Sequence, residues 1–190
     1  DKGAYVSSWG PMEDPRGRAS SAIDTMANIP LLYWAARESG DASFRLAAEA
    51  HAQMTMLSFR RPDDTLYHAV EYDTKTGERL RGYTFQGAHD ESYWSRGTGW
   101  AVMGLATSAA NSGNMDYLSQ AIALSEKWFA CLAAFEDRLT RSALQAIGGK
   151  KPIGSLRGFA ATIWRRIQNI VEFCYTDVIP SHIKSARMQP

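Results

Sequence analysis

Between Thr84 and Trp100 the chain gathers Trp94, Trp100, Arg96, Gln86, His89, Asp90 and Glu91 among three glycines. So polar a stretch has little to bury by itself and much to bind with. Flat indole faces suit the apolar faces of sugar rings, and a planar guanidinium fork suits a carboxylate. Binding groups of this kind sit most often on loops held by a rigid scaffold. The competing reading is a helix-start turn whose aromatics merely pack.

The scaffold must come from the flanking segments. Ile29, Leu32, Tyr33 and Ala36 recur at helical spacing, with Pro30 in the first turn, where proline is tolerated. Gly40 stops that helix, and Asp41 is a good N-cap for the next, which carries Phe44, Leu46, Ala47, Ala50, Met54 and Leu57. Residues 66–83 alternate differently and contain the turn Asp73-Thr74-Lys75-Thr76-Gly77, which predicts a two-stranded β-hairpin. Helices are then expected from about Ser92 or Trp94 to Ala110, and from about Met115 to Leu132. Residues 1–18, rich in glycine and proline, read as irregular.

An internal repeat connects these helices. At an offset of 73 positions, Gly40-Asp41-Ala42-Ser43-Phe44 aligns with Gly113-Asn114-Met115-Asp116-Tyr117, Ser39 with Ser112, Ala36 with Ala109 and Leu32 with Leu105. Each unit is a helix, a tight turn and a second helix. One helical hairpin cannot cover its own apolar face, whereas stacked copies can. An open solenoid or a closed toroid follows, and in a toroid the loops at one end would carry function.

Composition narrows the classes. The 190 residues are 45% hydrophobic with a net charge of +1, an ordinary globular balance that gives no reason to expect nucleic acid. No apolar run approaches the ~20 residues of a membrane span. No secretory leader is visible and the N-terminus is expected to lie upstream of Asp1, so localisation stays open with the cytoplasm favoured. Two cysteines, Cys131 and Cys174, form neither a disulfide framework nor a metal pattern, and no metal or other cofactor is expected. Cys131, beside Trp128 and Phe129, reads as a buried thiol, and Trp34 and Trp128 read as core. Residues 1–132 carry 12 basic and 16 acidic side chains, whereas residues 133–190 carry 9 and 4. Two segments are therefore expected: a helical domain over 1–132, and a divergent basic tail over 133–190.

Three separated stretches resemble glycoside hydrolase family 88, the unsaturated glucuronyl hydrolases. They are Ser20 to Ala35, Leu66-Tyr67-His68 with Tyr72-Asp73, and Gln86-Gly87 through Trp94-Ser95-Arg96-Gly97 to Trp100. Their order and spacing fit over roughly residues 5–132. The resemblance implies an all-α fold: helical hairpins of an (α/α)6 barrel, here incomplete, with the β-hairpin inserted. It also implies removal of a 4,5-unsaturated uronic acid from an oligosaccharide by hydration of its vinyl ether. On that basis Asp24 falls on the catalytic general acid/base, and His68, Gln86, Trp94, Arg96 and Trp100 fall on sugar-contacting positions. Burial of Asp24 among Ile23, Met26 and Trp94 would help keep its carboxyl protonated.

Each assignment has a structural rival. Asp24 could be a helix N-cap, His68 a solvent-facing strand residue, and Arg96 a surface partner of Asp90 or Glu91. Trp9 stands where the family has an aromatic near the pocket. Phe85 and Thr98 stand where histidine and glutamine are usual, and the family pattern stops after Leu132. The family also supplies upstream helices and a second aspartate that this sequence lacks, so a partial chain of little activity is expected. A helical-repeat module that binds saccharide or protein without catalysis is the alternative.

Overall fold

The computed structural model describes residues 4–8, 13–14 and 19–146. Trp9, Cys174 and most of the basic tail lie outside them. By compactness the chain divides into Asp1–Ser125 and Glu126–Pro190.

A short strand β1 (Ser20–Ala22) runs into a 3-10 turn (Ile23–Ala27), followed by α1 (Ile29–Ser39) and α2 (Ala42–Ser58). Strands β2 (Ala69–Tyr72) and β3 (Arg79–Tyr83) come next, then α3 (Ser95–Ser112) and α4 (Met115–Ala146). The helices thus follow the expected order, but α4 runs 14 residues past Leu132. The expected hairpin is present as β2 and β3, and among the described residues β1 adds a third antiparallel strand in the order β1-β2-β3. Ser20 pairs with Glu71 and Ala22 with Ala69, and Ile23 N–H donates to the His68 carbonyl at 2.9 Å. The sequence Ser20-Ser21-Ala22 carries no strand signature, and only its partner fifty residues away makes it one. Strand β2 is central in the sheet and three of its four residues are buried, so both of its faces are covered and its alternation does not mark a wet side.

The repeat is reproduced bond for bond. Gly40 closes α1 at φ 72°, ψ 3°, and Gly113 closes α3 at φ 73°, ψ 2°. These left-handed values suit a residue without Cβ. Ser39 Oγ donates to the Ala35 carbonyl at 2.7 Å, as Ser112 Oγ does to Ser108. Asp41 Oδ1 accepts from Ser43 N–H at 2.8 Å, and Asn114 Oδ1 accepts from Asp116 N–H at 2.9 Å. The two hairpin ends are tied by Arg37, which donates to Asn111 Oδ1 at 2.9 Å.

Ile23, Met26, Ile29, Tyr33, Phe59, Val70 and Leu105 form the core of the first unit. On α4, Tyr117, Leu118, Ala121 and Leu124 are buried. That cover has thinned by Trp128 and Cys131, both partly exposed rather than buried as expected. Trp34 is 51% exposed and not core, because α1 turns Ile29 and Tyr33 inward and leaves Leu31 and Trp34 on its other side. Among the described residues no helix is long and apolar enough to cross a membrane.

Residues 4–8 have no regular structure yet are tied down. Tyr5 stacks on Tyr72, and Ser8 Oγ bonds Thr25 Oγ1. Val6 N–H donates to Nδ1 of the fully buried His51 at 3.1 Å. Burial pushes the His51 imidazole down from 6.5 to about 4. Unfolded, this group takes a proton once the pH drops below 6.5; folded, it does not until about 4. Acid therefore favours the unfolded chain throughout that window. Urea unfolding should show stability falling from pH 6.5 toward 4, by at most about 1.4 kcal/mol per pH unit from this group. His51→Leu should flatten that part of the slope.

Candidate functional site

The 3-10 turn places Asp24 next to the strand sheet and under the start of α3. Two glycines allow that approach. A Cβ at Gly97 would fall 2.6 Å from Ile23 Cγ2, and one at Gly104 would fall 2.7 Å from the Met26 carbonyl oxygen. Asp24 is inside the turn and caps no helix; the N-cap of α1 is Asn28, without a side-chain bond. Nor is its carboxyl wholly buried. Oδ2 is sealed from solvent, but the side chain as a whole is 37% exposed.

Facing Oδ2 at 3.3 Å is Nε2 of His68. The two atoms are close but not aligned as a hydrogen bond, and neither has a hydrogen-bond partner among the described residues. His68 immediately precedes β2 and is 1% exposed, so it is not a solvent-facing strand residue. Its ring lies between Phe85, with centroids 3.9 Å apart, and Trp94, at 4.0 Å and an interplanar angle of 23°. Its Nδ1 is 2.7 Å from Thr84 Oγ1.

Trp94 is the residue before α3, and Arg96 lies in the first turn. The Arg96 guanidinium sits 4.8 Å from the Trp94 ring centroid and donates from Nη2 to Gln86 Oε1. It turns to these partners rather than to Asp90 or Glu91. Trp100 is four residues beyond Arg96 on α3, hence on the same helix face, and is partly exposed. Asp24, His68, Trp94, Arg96 and Gln86 thus form a continuous series of contacts. Trp100 joins through the helix face. Among the described residues no three His, Cys, Asp or Glu side chains cluster as metal ligands.

Three residues escaped the sequence reading or were marked only as unusual. Phe85 is a wall of the His68 slot, with 46% of the residue still exposed. Thr84 is the polar partner of His68. Arg61, buried at 7% exposure, reaches from the end of α2 to hold the loop. Its Nη2 donates to the carbonyls of Asp90 at 2.8 Å and Ser92 at 3.1 Å, and its guanidinium lies over the Tyr67 ring. An arginine that binds main-chain carbonyls leaves no spacing pattern to read.

No family model matches the chain. It is 38% identical over 125 residues to the unsaturated glucuronyl hydrolase of Bacillus sp. (strain GL1), a match covering 66% of this chain and 33% of that one. An unsaturated chondroitin disaccharide hydrolase of Streptococcus agalactiae serotype III (strain NEM316) is 34% identical over 108 residues, 57% of this chain and 27% of that. Among solved structures, the unsaturated glucuronyl hydrolase from Bacillus sp. GL1 aligns with a TM-score of 0.62 at 37% identity, covering 66% of this chain and 33% of its own. The one from Streptococcus agalactiae aligns with a TM-score of 0.59 at 30% identity, covering 65% and 31%.

The loop geometry makes Arg61 testable without any substrate. Arg61→Met keeps the apolar stem and removes the donors. Stability should fall by about 1–3 kcal/mol, the usual cost of unpairing such groups. Amide exchange over residues 84–94 should quicken while α1 and α2 stay protected. Over 66% of its length the chain is therefore similar in sequence and fold to about a third of the unsaturated glucuronyl hydrolase of Bacillus sp. GL1.

Proposed function

We propose that this chain supplies the acid/base part of a hydrolase that removes a 4,5-unsaturated uronic acid from oligosaccharides. The observation that carries the reading is the contact series from Asp24 through His68 and Trp94 to Arg96 and Gln86. Five residues spread over positions 24 to 96 meet there, with a partly exposed carboxyl at one end and an exposed cation at the other. An acidic sugar fits such a site end to end.

In this reading the Asp24 carboxyl gives its proton to C4 of the ring double bond. Water adds at C5, losing its proton to the carboxylate just formed, so Asp24 ends as it began. The product is a hemiketal at C5, which opens and releases the rest of the saccharide. Arg96 and Gln86 would bind the uronate carboxylate through charge-assisted bonds. Trp94 and Trp100 would offer apolar faces to the sugar, and His68 would hold the Asp24 carboxyl in place. No covalent sugar–protein bond is needed, unlike the retaining two-carboxylate mechanism.

The residues present form one side of a site, and the matched relatives are about three times as long as their shared segment with this chain. Positioning errors near 1 Å can cost about 10²-fold in rate. The 190-residue chain alone should therefore hydrate substrate weakly at best, whereas a fusion carrying the remaining length of a relative should be active. Unsaturated chondroitin disaccharide, named for one relative, is a suitable first compound. Loss of the ultraviolet absorbance of its conjugated double bond follows the reaction. In the active fusion Asp24→Asn should lower kcat by ~10²–10⁴-fold, the range for a removed general acid/base. Unchanged turnover would return the site to a binding role.

A further inference from the structure

Building on the hydrolase reading of this site, we propose that Thr84 is a positioning residue that fixes the His68 tautomer, so that Nε2 carries its hydrogen toward Asp24. Thr84 follows β3 directly, and its backbone N–H is held by Asp90 Oδ1 at 2.8 Å. Its hydroxyl oxygen accepts the Gly87 N–H at 2.9 Å and lies 2.7 Å from His68 Nδ1. A threonine hydroxyl has one hydrogen to give and two lone pairs. With Gly87 on one lone pair, the hydroxyl can either donate to Nδ1 or accept from Nδ1–H.

Acceptance would leave the hydroxyl hydrogen without a partner among the described residues. Donation satisfies the hydroxyl and Nδ1 together. Nδ1 is then the acceptor and the ring hydrogen must sit on Nε2. Phe85 and Trp94 clamp the ring on both faces, so the imidazole cannot turn away. Nε2, sealed from solvent, faces Asp24 Oδ2 at 3.3 Å. A small shift of the carboxylate into line with that N–H would let it accept the hydrogen once Asp24 has released its proton to C4. The same hydroxyl joins the Gly87 turn to the histidine, so loop closure and tautomer are set by one atom.

Long-range proton–nitrogen correlation spectra of the 190-residue chain, labelled at histidine and recorded above pH 7, read the tautomer directly. His68 should show unprotonated Nδ1 and protonated Nε2. His51 is the internal control, because the Val6 N–H already commits its Nδ1 as acceptor. Thr84→Val, which keeps the shape and removes the hydroxyl, should raise the Nδ1–H form of His68 roughly 2- to 10-fold, the weight of one neutral hydrogen bond. Thr84→Ser should restore the original ratio, and His51 should not change in either variant. A His68 that carries its hydrogen on Nδ1 in the unaltered chain overturns the proposal, whether or not the valine variant folds. So does a ratio indifferent to the valine substitution. The readout is on the imidazole and not on turnover. A fusion that hydrates no substrate would count against the hydrolase reading and leave the tautomer result standing.

Discussion

Everything at the candidate site depends on how closely α3 can lie against the turn that carries Asp24. Gly97 and Gly104 are seven residues apart and face the same way, one against Ile23 and the other against Met26. Any side chain at either position would meet packed atoms, and at Gly104 one of those is a main-chain oxygen. Overpacking of that kind costs about 1–3 kcal/mol. Here it would also push the helix start, with Trp94 and Arg96, away from His68. The glycines are therefore spacing devices more than flexible joints, and the short distance they allow brings residues 24, 68 and 94 together.

Much of the helical frame was legible because its signals are local. Gly40-Asp41 and Gly113-Asn114 announce their turns within five residues, and Asp73 to Gly77 announces the hairpin. Trp94, Arg96 and Gln86 lie within ten residues of one another, so their shared loop was readable too. What was not legible depends on distant partners. Ser20-Ser21-Ala22 becomes a strand only against β2. His68 looks half wet until Phe85 and Trp94 close over its ring. Thr84 is an ordinary loop threonine until His68 is placed beside it. Trp34 shows the opposite failure: its helical register was readable, but register does not say whether a neighbour exists to cover it.

That absence of cover has a pattern. Leu31, Trp34, Leu46 and Leu57 are all more than half exposed, and they come from the first helical hairpin. In a toroid of hairpins such faces are where the next pair would stack. A chain that spans a third of its relatives should show them. The consequence is uneven: the hairpin ends are fully bonded, whereas the hairpin flanks remain open to further packing.

The twin turns at Gly40 and Gly113 sit at the end of the hairpins away from Asp24 and the aromatic loop, separated by the length of α1, roughly 16 Å for eleven residues at the α-helical rise. Their bonds use only residues within the turns and the Arg37 tie to Asn111. Within the first unit the twin turns and the Asp24–Arg96 contact series thus lie at opposite ends of the hairpins. A dye, a surface tether or an affinity handle attached at the turn end would report on, or immobilise, the scaffold without touching the candidate site.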